Sequence, residues 1–336
     1  MSTPRKDGFY MPAEWAPHLR TWMMWPCRTE VWDDIGETRA NYAAVAHAIA
    51  RFEPLTMVVH PRDAKQAADL LGSDIDMLQA PIDDSWCRDS GPCFLIDGKG
   101  NRAGTAFEFN AWGRKYTPFD GDNAVAETIL NTAGLTAFTS NLIAEGGGVS
   151  VDGEGTILTT LSCFPNANRN PDWSVAQIEA ELKEMLGGEK VIWLPGDAFE
   201  VETDGHVDGI ATFVAPGVVA IQGAGTANDE LHEVYLANLD ALKGQTDARG
   251  RPITIRTLPG ATGLDSESEI FCDSYVNSYI VNGGVIMPSY GIKEDGQVRE
   301  IYQDLFPERE VVAVDIPSIA IGGGGIHCIT QQEPAP

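Results

Sequence analysis

Apolar positions along this chain switch repeatedly between two periods. Residues 41–52 place Ala, Val, Ile and Phe at helical spacing, and residues 55–59 follow as a short apolar run rich in β-branched side chains. The same pair recurs four more times: a helix at 122–133 with a strand at 135–138, 174–186 with 191–195, 228–242 with 253–258, and 297–305 with 311–316. Ser174 is an N-cap and Gly187-Gly188 a stop for the third helix. Between these units lie Asp97-Gly98, Asp152-Gly153, Pro216-Gly217 and Asn282-Gly283, turn pairs flanked by strand formers that predict hairpins. Their spacings of 55, 64 and 66 residues are long for a solenoid and suit a propeller-like array. The fifth unit has too little chain left for its own hairpin, and the apolar run 21–25 is expected to supply the missing strand and close the ring. The expectation is one closed domain spanning residues 1–336.

A polar motif precedes each hairpin. These are Trp86-Cys87-Arg88-Asp89, Glu145-Gly146-Gly147-Gly148, Gly205-His206-Val207-Asp208, the region of Asp273-Ser274-Tyr275, and Gly324-Gly325-Ile326-His327-Cys328. Asp89, Asp208 and Ser274 stand eight residues before their turns and Glu145 seven before its own. Equivalent positions of pseudo-symmetric units face a common axis, so Asp89, Asp208, Glu145, His206 and Cys328 are predicted to converge there.

Cys328 follows four glycines, 322–325, which let a ligand or another backbone come close, and a thiol is the best nucleophile available when a nearby imidazolium favours its ionisation. Cys87, Cys93, Cys163 and Cys272 are read as buried structural cysteines. His206 and Asp208, two apart, share a face if the stretch is extended. His327, next to Cys328, is expected to face away. The zinc alternative lacks a Cys/His cluster of suitable spacing. Two carboxylates in one site repel unless a cation joins them, and a guanidinium is the cation that pairs bidentately with carboxylates. An acid pair beside Cys and His therefore points to attack on a guanidinium carbon, with Glu145 holding His206 charged.

Charge narrows the partners. The formal net charge is −26 and the isoelectric point about 4.4, which disfavours nucleic acid, since phosphate binding needs clustered Lys and Arg. An acidic field favours cationic ligands, though it serves solubility equally well. Hydrophobic residues make up 43% and the mean hydropathy is −0.14, and no apolar run approaches the ~18 residues of a membrane span. Met1-Ser2-Thr3-Pro4 lacks the plan of a signal peptide, and six cysteines without a CxxC pair read as reduced thiols, so a cytoplasmic location is expected.

The ordered motifs resemble the agmatine deiminases, within the wider Porphyromonas-type peptidylarginine deiminase family. The matching stretches are Met11-Pro12-Ala13-Glu14-Trp15, DDSWCRDSGP at 83–92, FNAWGRKY at 109–116, Glu145 to Gly148, Gly205 to Asp208, and GGGGIHCITQQ at 322–332, so the likeness runs from about Met11 to Glu333. The resemblance implies a five-bladed pseudo-symmetric α/β propeller of the pentein type. It also implies covalent chemistry without metal or cofactor, with agmatine and water giving N-carbamoylputrescine and ammonia. Carried over by motif, Cys328 is the nucleophile, His206 the general acid and then base, Glu145 the support of His206, and Asp89 and Asp208 the guanidinium holders. Trp86 and Glu202 become candidates for contacting the substrate's chain and distal amine. Asp204, Cys87 and Gly209 depart from the family pattern and bear on substrate choice. The expected partners are a small cationic guanidino substrate and, at most, a second copy of the chain as a homodimer, with no nucleic acid and no membrane. Other readings are the same chemistry on arginine or peptidylarginine, with Arg88, Arg114 or Lys115 meeting a carboxylate, a non-catalytic guanidine or polyamine binder, and a plain Cys-His amide hydrolase.

Overall fold

The four turn glycines adopt left-handed φ values of 66° (Gly98), 72° (Gly153), 72° (Gly217) and 74° (Gly283), a conformation an L side chain resists. Each therefore closes a tight reversal, and each reversal joins the first two strands of a three-stranded sheet. In this computed structural model, which describes residues 2–224, 230–262, 264 and 268–336, the chain begins with β1 (His18–Met24), β2 (Leu55–Val59) and β3 (Asp76–Gln79). The first hairpin sheet is β4 (Cys93–Ile96), β5 (Arg102–Glu108) and β6 (Thr136–Ile143). The second is β7 (Ser150–Val151), β8 (Thr156–Thr160) and β9 (Lys190–Leu194). The third is β10 (Ala211–Ala215), β11 (Val218–Gln222) and β12 (Thr254–Leu258), and the fourth β13 (Tyr279–Val281), β14 (Gly284–Ser289) and β15 (Glu310–Asp315). In each, the hairpin pair is antiparallel and a helical crossover brings the third strand back parallel to the second.

The fifth sheet, ordered β16-β1-β2-β3, is built from both ends of the chain. β16 (Thr330–Pro334) pairs antiparallel with β1, Trp22 opposite Gln331 and Met23 opposite Thr330, and so replaces the absent hairpin as the apolar run 21–25 suggested. β16 is polar yet wholly buried, and most of its side-chain polar atoms find partners, Gln331 Oε1 being left without one among the described residues. Gln331 Nε2 donates to the Pro92 carbonyl at 2.5 Å, Gln332 Oε1 accepts from Arg88 Nη1 at 2.7 Å, and Glu333 Oε2 accepts from Trp22 Nε1 at 2.8 Å.

Helix Val175–Leu186 starts at Ser174 with a full capping box through Gln177 and stops at Gly187 in the left-handed region, as its sequence predicts. The remaining crossovers are shifted from their expected bounds. The first helix, Ile35–Ala50, starts at Asp34, whose carboxylate caps Gly36 and Glu37, and the last, Lys293–Leu305, starts four residues before 297. The second is split into Asp120–Asn123 and Val125–Thr132. The fourth is described over Glu230–Leu242; its expected start at Asn228 lies outside the described residues. The first strands of neighbouring sheets touch, β7 with β10 and β16 with β4. All five polar motifs end just before such a first strand, which is how one axis collects them.

Candidate active site

The reactive groups gather around Gly147. A Cβ on this residue would lie 2.6 Å from His206 Nδ1, 2.8 Å from Asp89 Oδ1 and 3.0 Å from Asp208 Oδ2, so only glycine fits among the three side chains. Gly147 also donates its N–H to Asp89 Oδ1 at 3.0 Å. Single-turn helices Cys87–Ser90, Gly146–Gly148 and Val207–Gly209 present these residues, where the spacing of His206 and Asp208 had suggested an extended strand. Both side chains still reach one place, because a tight turn also brings residues two apart together.

Cys328 sits at the end of the turn after Gly325, its sulfur 3.6 Å from Asp208 Oδ2 and accepting from Asn277 Nδ2 at 3.0 Å. Burial, then the negative charge of Asp208 and its neighbours, pushes the thiol pKa well above its ordinary value. No imidazole hydrogen-bonds to the sulfur among the described residues, so the neighbour expected to ionise it is replaced by acids. Asn277, from the fourth sheet, takes the place expected for Ser274, whose Oγ instead faces Gln222 at 3.4 Å.

His206 stands between acids: Nε2 is 3.5 Å from Glu145 Oε2 and Nδ1 is 3.7 Å from Asp89 Oδ1. Burial opposes its charging, but Asp89, Cys163 and Glu145 outweigh that and hold the imidazole pKa well above 6.5. These separations are ion-pair distances that can tighten when a ligand closes the site. Glu145 is itself buried and pinned by Arg169 Nε at 2.6 Å. Burial alone would raise the Glu145 pKa, yet the guanidinium and His206 bring it down to about 2. Arg169 continues to Asp204, its Nη1 donating at 2.6 Å, and Lys115 Nζ donates to the same Asp204 oxygen at 2.9 Å. Asp204, one of the departures from the family pattern, thus gathers two cations. Cys87 packs in an apolar cluster with Trp22, Met24 and Phe94, and nothing in the structure explains Gly209.

The two aspartates beside Gly147 differ. Burial raises Asp89, His206 draws it back, and Asp208 and Glu145 raise it again, leaving it at about 6. Asp208 is lowered despite its burial, chiefly through His327, whose Nδ1 donates to Asp208 Oδ2 at 2.7 Å. The expectation that His327 faces away is corrected here: residues 326–329 form a turn, not a strand, and adjacent side chains can both address the site.

Asp89 Oδ2 accepts from Trp112 Nε1 at 3.0 Å, a partner that the motif FNAWGRKY does not announce. Ala111, Trp112 and Arg114 have φ of 53°, 52° and 64°, left-handed values that cost roughly 1–2 kcal/mol per residue. Asn110 locks the turn by accepting from Gly113 N at 2.7 Å. Strain retained at this spot fits a residue held for function.

Glu145, Cys163 and His206 bring potential metal-ligand atoms within 4.8 Å of one another. Arg169 Nε already bonds Glu145 Oε1 at 2.6 Å, and the other oxygen, Oε2, faces His206 Nε2 at 3.5 Å. Three of the four glycines receive side chains: a Cβ at Gly322 would strike Trp32, at Gly324 Trp86, and at Gly325 Asn277, while Gly323 borders the open space in front of Cys328. A cavity of about 290 Å³ opens onto Cys328, His206 and Asp208. Trp86 and Glu202 are outside its lining. Trp86 is stacked behind Gly324, its ring 5.7 Å from Trp32 and 6.4 Å from Trp112, and Glu202 lies against Gly323, where a Cβ would be 3.1 Å from its Cγ.

No helix among the described residues is long and apolar enough to cross a membrane. Comparison with known proteins places the chain among relatives. Agmatine deiminases of Stutzerimonas stutzeri and Pseudomonas aeruginosa are each 43% identical, with 100% of this chain and 98% of theirs aligned. The solved structure of agmatine deiminase of Enterococcus faecalis superposes with a TM-score of 0.96 at 35% identity, covering 100% of this chain and 98% of that one. The arrangement of five small sheets is thus the five-bladed α/β propeller anticipated from the repeats, and the chain's chemistry is that of an amidine hydrolase. The sequence profile of the Porphyromonas-type peptidyl-arginine deiminases matches residues 10–334, and the chain belongs to that family.

Proposed function

We propose that this chain is an agmatine deiminase, converting agmatine and water to N-carbamoylputrescine and ammonia. The observation that carries the choice of substrate is the lining of the cavity around Cys328. It holds Asp197, Glu200, Asp208, Glu269 and Asp273 and, among the described residues, no Lys or Arg. A dication is welcome there, whereas the α-carboxylate of arginine would enter an acidic space without a partner. The cations that were candidates to meet it are engaged or exposed. Arg88 is buried and donates to Gln332 and to the His327 carbonyl, Lys115 is held by Asp204 and the Glu202 carbonyl, and Arg114 is exposed.

In this reading Asp89 and Asp208 grip the guanidinium, whose positive charge beside the sulfur lets Cys328 release its proton to solvent and become a thiolate. The thiolate adds to the guanidinium carbon. His206 gives its proton to the departing nitrogen, the C–N bond breaks, and ammonia leaves an S-linked amidino group. Water then attacks the same carbon while His206 takes its proton, the C–S bond breaks, and the ureido product leaves. Such a positioned acid–base contributes about 10²–10⁴-fold. Glu145 keeps His206 charged and in place, Trp86 packs behind Gly324 outside the cavity, and Glu202, lying behind the lining residue Gly323, is the reading's partner for the distal amine. The six cysteines are free, which suits a reducing cytoplasm.

The test is a panel assay for ammonia and ureido product on agmatine, arginine and a peptidyl arginine. Agmatine should lead in kcat/KM by at least about a hundredfold, the size of an uncompensated like-charge contact. Comparable turnover of arginine would overturn the choice of substrate.

A further inference from the structure

The motif Met11–Trp15 has no part in the steps above, yet its Glu14 reaches the back of the site. His327 lies between two carboxylates: Nδ1 is 2.7 Å from Asp208 Oδ2 and Nε2 is 2.9 Å from Glu14 Oε2. We infer that Glu14 and His327 are positioning residues that keep a permanent imidazolium behind Asp208, so that this acid stays an anion fixed in place. The proposal rests on the amidine-hydrolase reading of the site.

Hydrogen-bond capacity carries the argument. An ionised carboxylate only accepts, and a neutral imidazole offers one donor and one acceptor. Two carboxylate partners therefore require either both ring N–H groups or a proton on one acid. The charged surroundings favour the first. Arg88 Nη2 lies 3.6 Å from Glu14 Oε2, and Ile280 N donates to Glu14 Oε1 at 2.8 Å, which keeps Glu14 an anion. On the other side Asp208 faces the Cys328 sulfur and shares the rim of Gly147 with His206 and Asp89. Arg88 also donates from Nε to the His327 carbonyl at 3.3 Å, so the nearby cation opposing the imidazolium is itself tied to Glu14. Burial and Arg88 push the His327 pKa down, but Glu14 and Asp208 raise it overall, while Glu14 is lowered below 4.5.

Asp89 supplies the internal control. It is buried like Asp208 and also faces His206, but its other partners are Glu145 and Trp112 rather than His327 and Arg88, and it sits at about 6. Asp208 stripped of its imidazolium should titrate beside it. Glu14→Gln does this without disturbing shape. The introduced amide still accepts from the Ile280 N–H through its oxygen and donates through its nitrogen to a neutral Nε2, and Nδ1–H still reaches Asp208.

In the wild type, the acid limb of log kcat/KM for agmatine should fall with a slope near one, set by Asp89. In Glu14→Gln the slope should approach two and the limb move up by about one pH unit, the effect of removing one opposite charge, with the alkaline plateau near the wild-type value. A uniform loss at every pH, or an unchanged limb in a folded variant, would overturn the inference. Imidazole NMR on the wild type, with His327→Asn to assign the resonance, is independent of turnover and of the variant's folding. His327 should stay doubly protonated well above the pH at which a free imidazole loses its charge, and an ordinary midpoint near 6.5 would sink the inference even if agmatine proves to be the substrate. Should wild type fail to turn agmatine over, the function is wrong, while the imidazole result still decides the charge state.

Discussion

Asp208 places a carboxylate oxygen 3.6 Å from the sulfur of Cys328. In the reaction proposed above, the acid that binds the substrate's cation is also, after burial itself, the foremost of the charges that keep the thiol protonated when the cation is missing. A quieter thiol in the free site and a more reactive one in the loaded site then follow in part from this contact.

Asp208→Asn should therefore have two effects of opposite sign. Turnover of agmatine should fall by at least about tenfold, since a hydrogen bond to a charged group is worth roughly 1.5–3 kcal/mol. The substrate-free thiol should at the same time become more reactive, because one of the charges raising its pKa is gone. Alkylation of Cys328 by a haloacetamide at pH 8, followed by peptide mass spectrometry, should speed up by about tenfold, one unit of pKa. Slower alkylation in the variant would mean that Asp208 does not hold the thiol protonated.

Gly147→Ala tests convergence rather than charge. The new methyl would meet His206, Asp89 and Asp208 at 2.6, 2.8 and 3.0 Å, and the backbone φ at this residue is outside the left-handed range, so the change acts on the site and spares the turn. Displacements of this order cost about a hundredfold in rate. The expected result is at least that loss in kcat with a melting temperature close to wild type. A variant retaining more than a tenth of the activity would show that the three side chains need not meet there.

The repeat is legible because four of the five sheets are announced by a turn pair whose chemistry is local: Asp97-Gly98, Asp152-Gly153, Pro216-Gly217 and Asn282-Gly283 need glycine for a positive φ wherever they occur. Equivalence of position then leads to Asp89, Asp208, Glu145, His206 and Cys328. The supports are hidden because they depend on contacts far apart in sequence. Arg169 reaches Glu145 from a loop, Trp112 reaches Asp89 through a left-handed turn that few non-glycine sequences adopt, and Glu14 meets His327 across almost the whole chain. His327 breaks the expected pattern for a physical reason: alternation of faces is a property of strands, and β16 begins only at Thr330. The glycines before Cys328 carry a real signal of close approach, but what approaches three of the four is tryptophan and asparagine.

The Glu145–Arg169 pair links catalysis to stability. With the Glu145 pKa brought from 4.5 to about 2 in the folded chain, its contribution is complete above pH 4.5 and lost as the pH falls from there towards 2. Glu145→Gln leaves a buried guanidinium short of one anion, a defect of roughly 3–5 kcal/mol; Asp204, still bonded to Arg169, places the expected loss at the low end. Urea unfolding at pH 7 should show it, and the difference from wild type should shrink on titration to pH 3. The variant also removes one of the charges holding His206 protonated, so the alkaline limb of kcat should move to lower pH. Equal stability at pH 7 with an unmoved limb would contradict both roles.

Glu202 offers the sharpest check on the distal end of the substrate. Burial raises its pKa, Tyr116 and Lys115 pull it back by a hydrogen bond and by charge, and it settles at about 7. The side chain is consequently neutral below that pH and anionic above it. An ammonium group beside it should bind better as the pH rises through 7, on top of the Asp89 limb near 6 that any guanidine shares. Agmatine should show a second improvement in KM across pH 7, and an alkylguanidine of equal length without the amine should not. Glu202→Gln should erase that step and raise the KM for agmatine by about tenfold, the worth of one charge-assisted hydrogen bond, while leaving the amine-free guanidine unchanged. If both substrates responded alike to the substitution, Glu202 would be acting on the fold of its loop and the distal amine would have to find its partner among the acids lining the cavity.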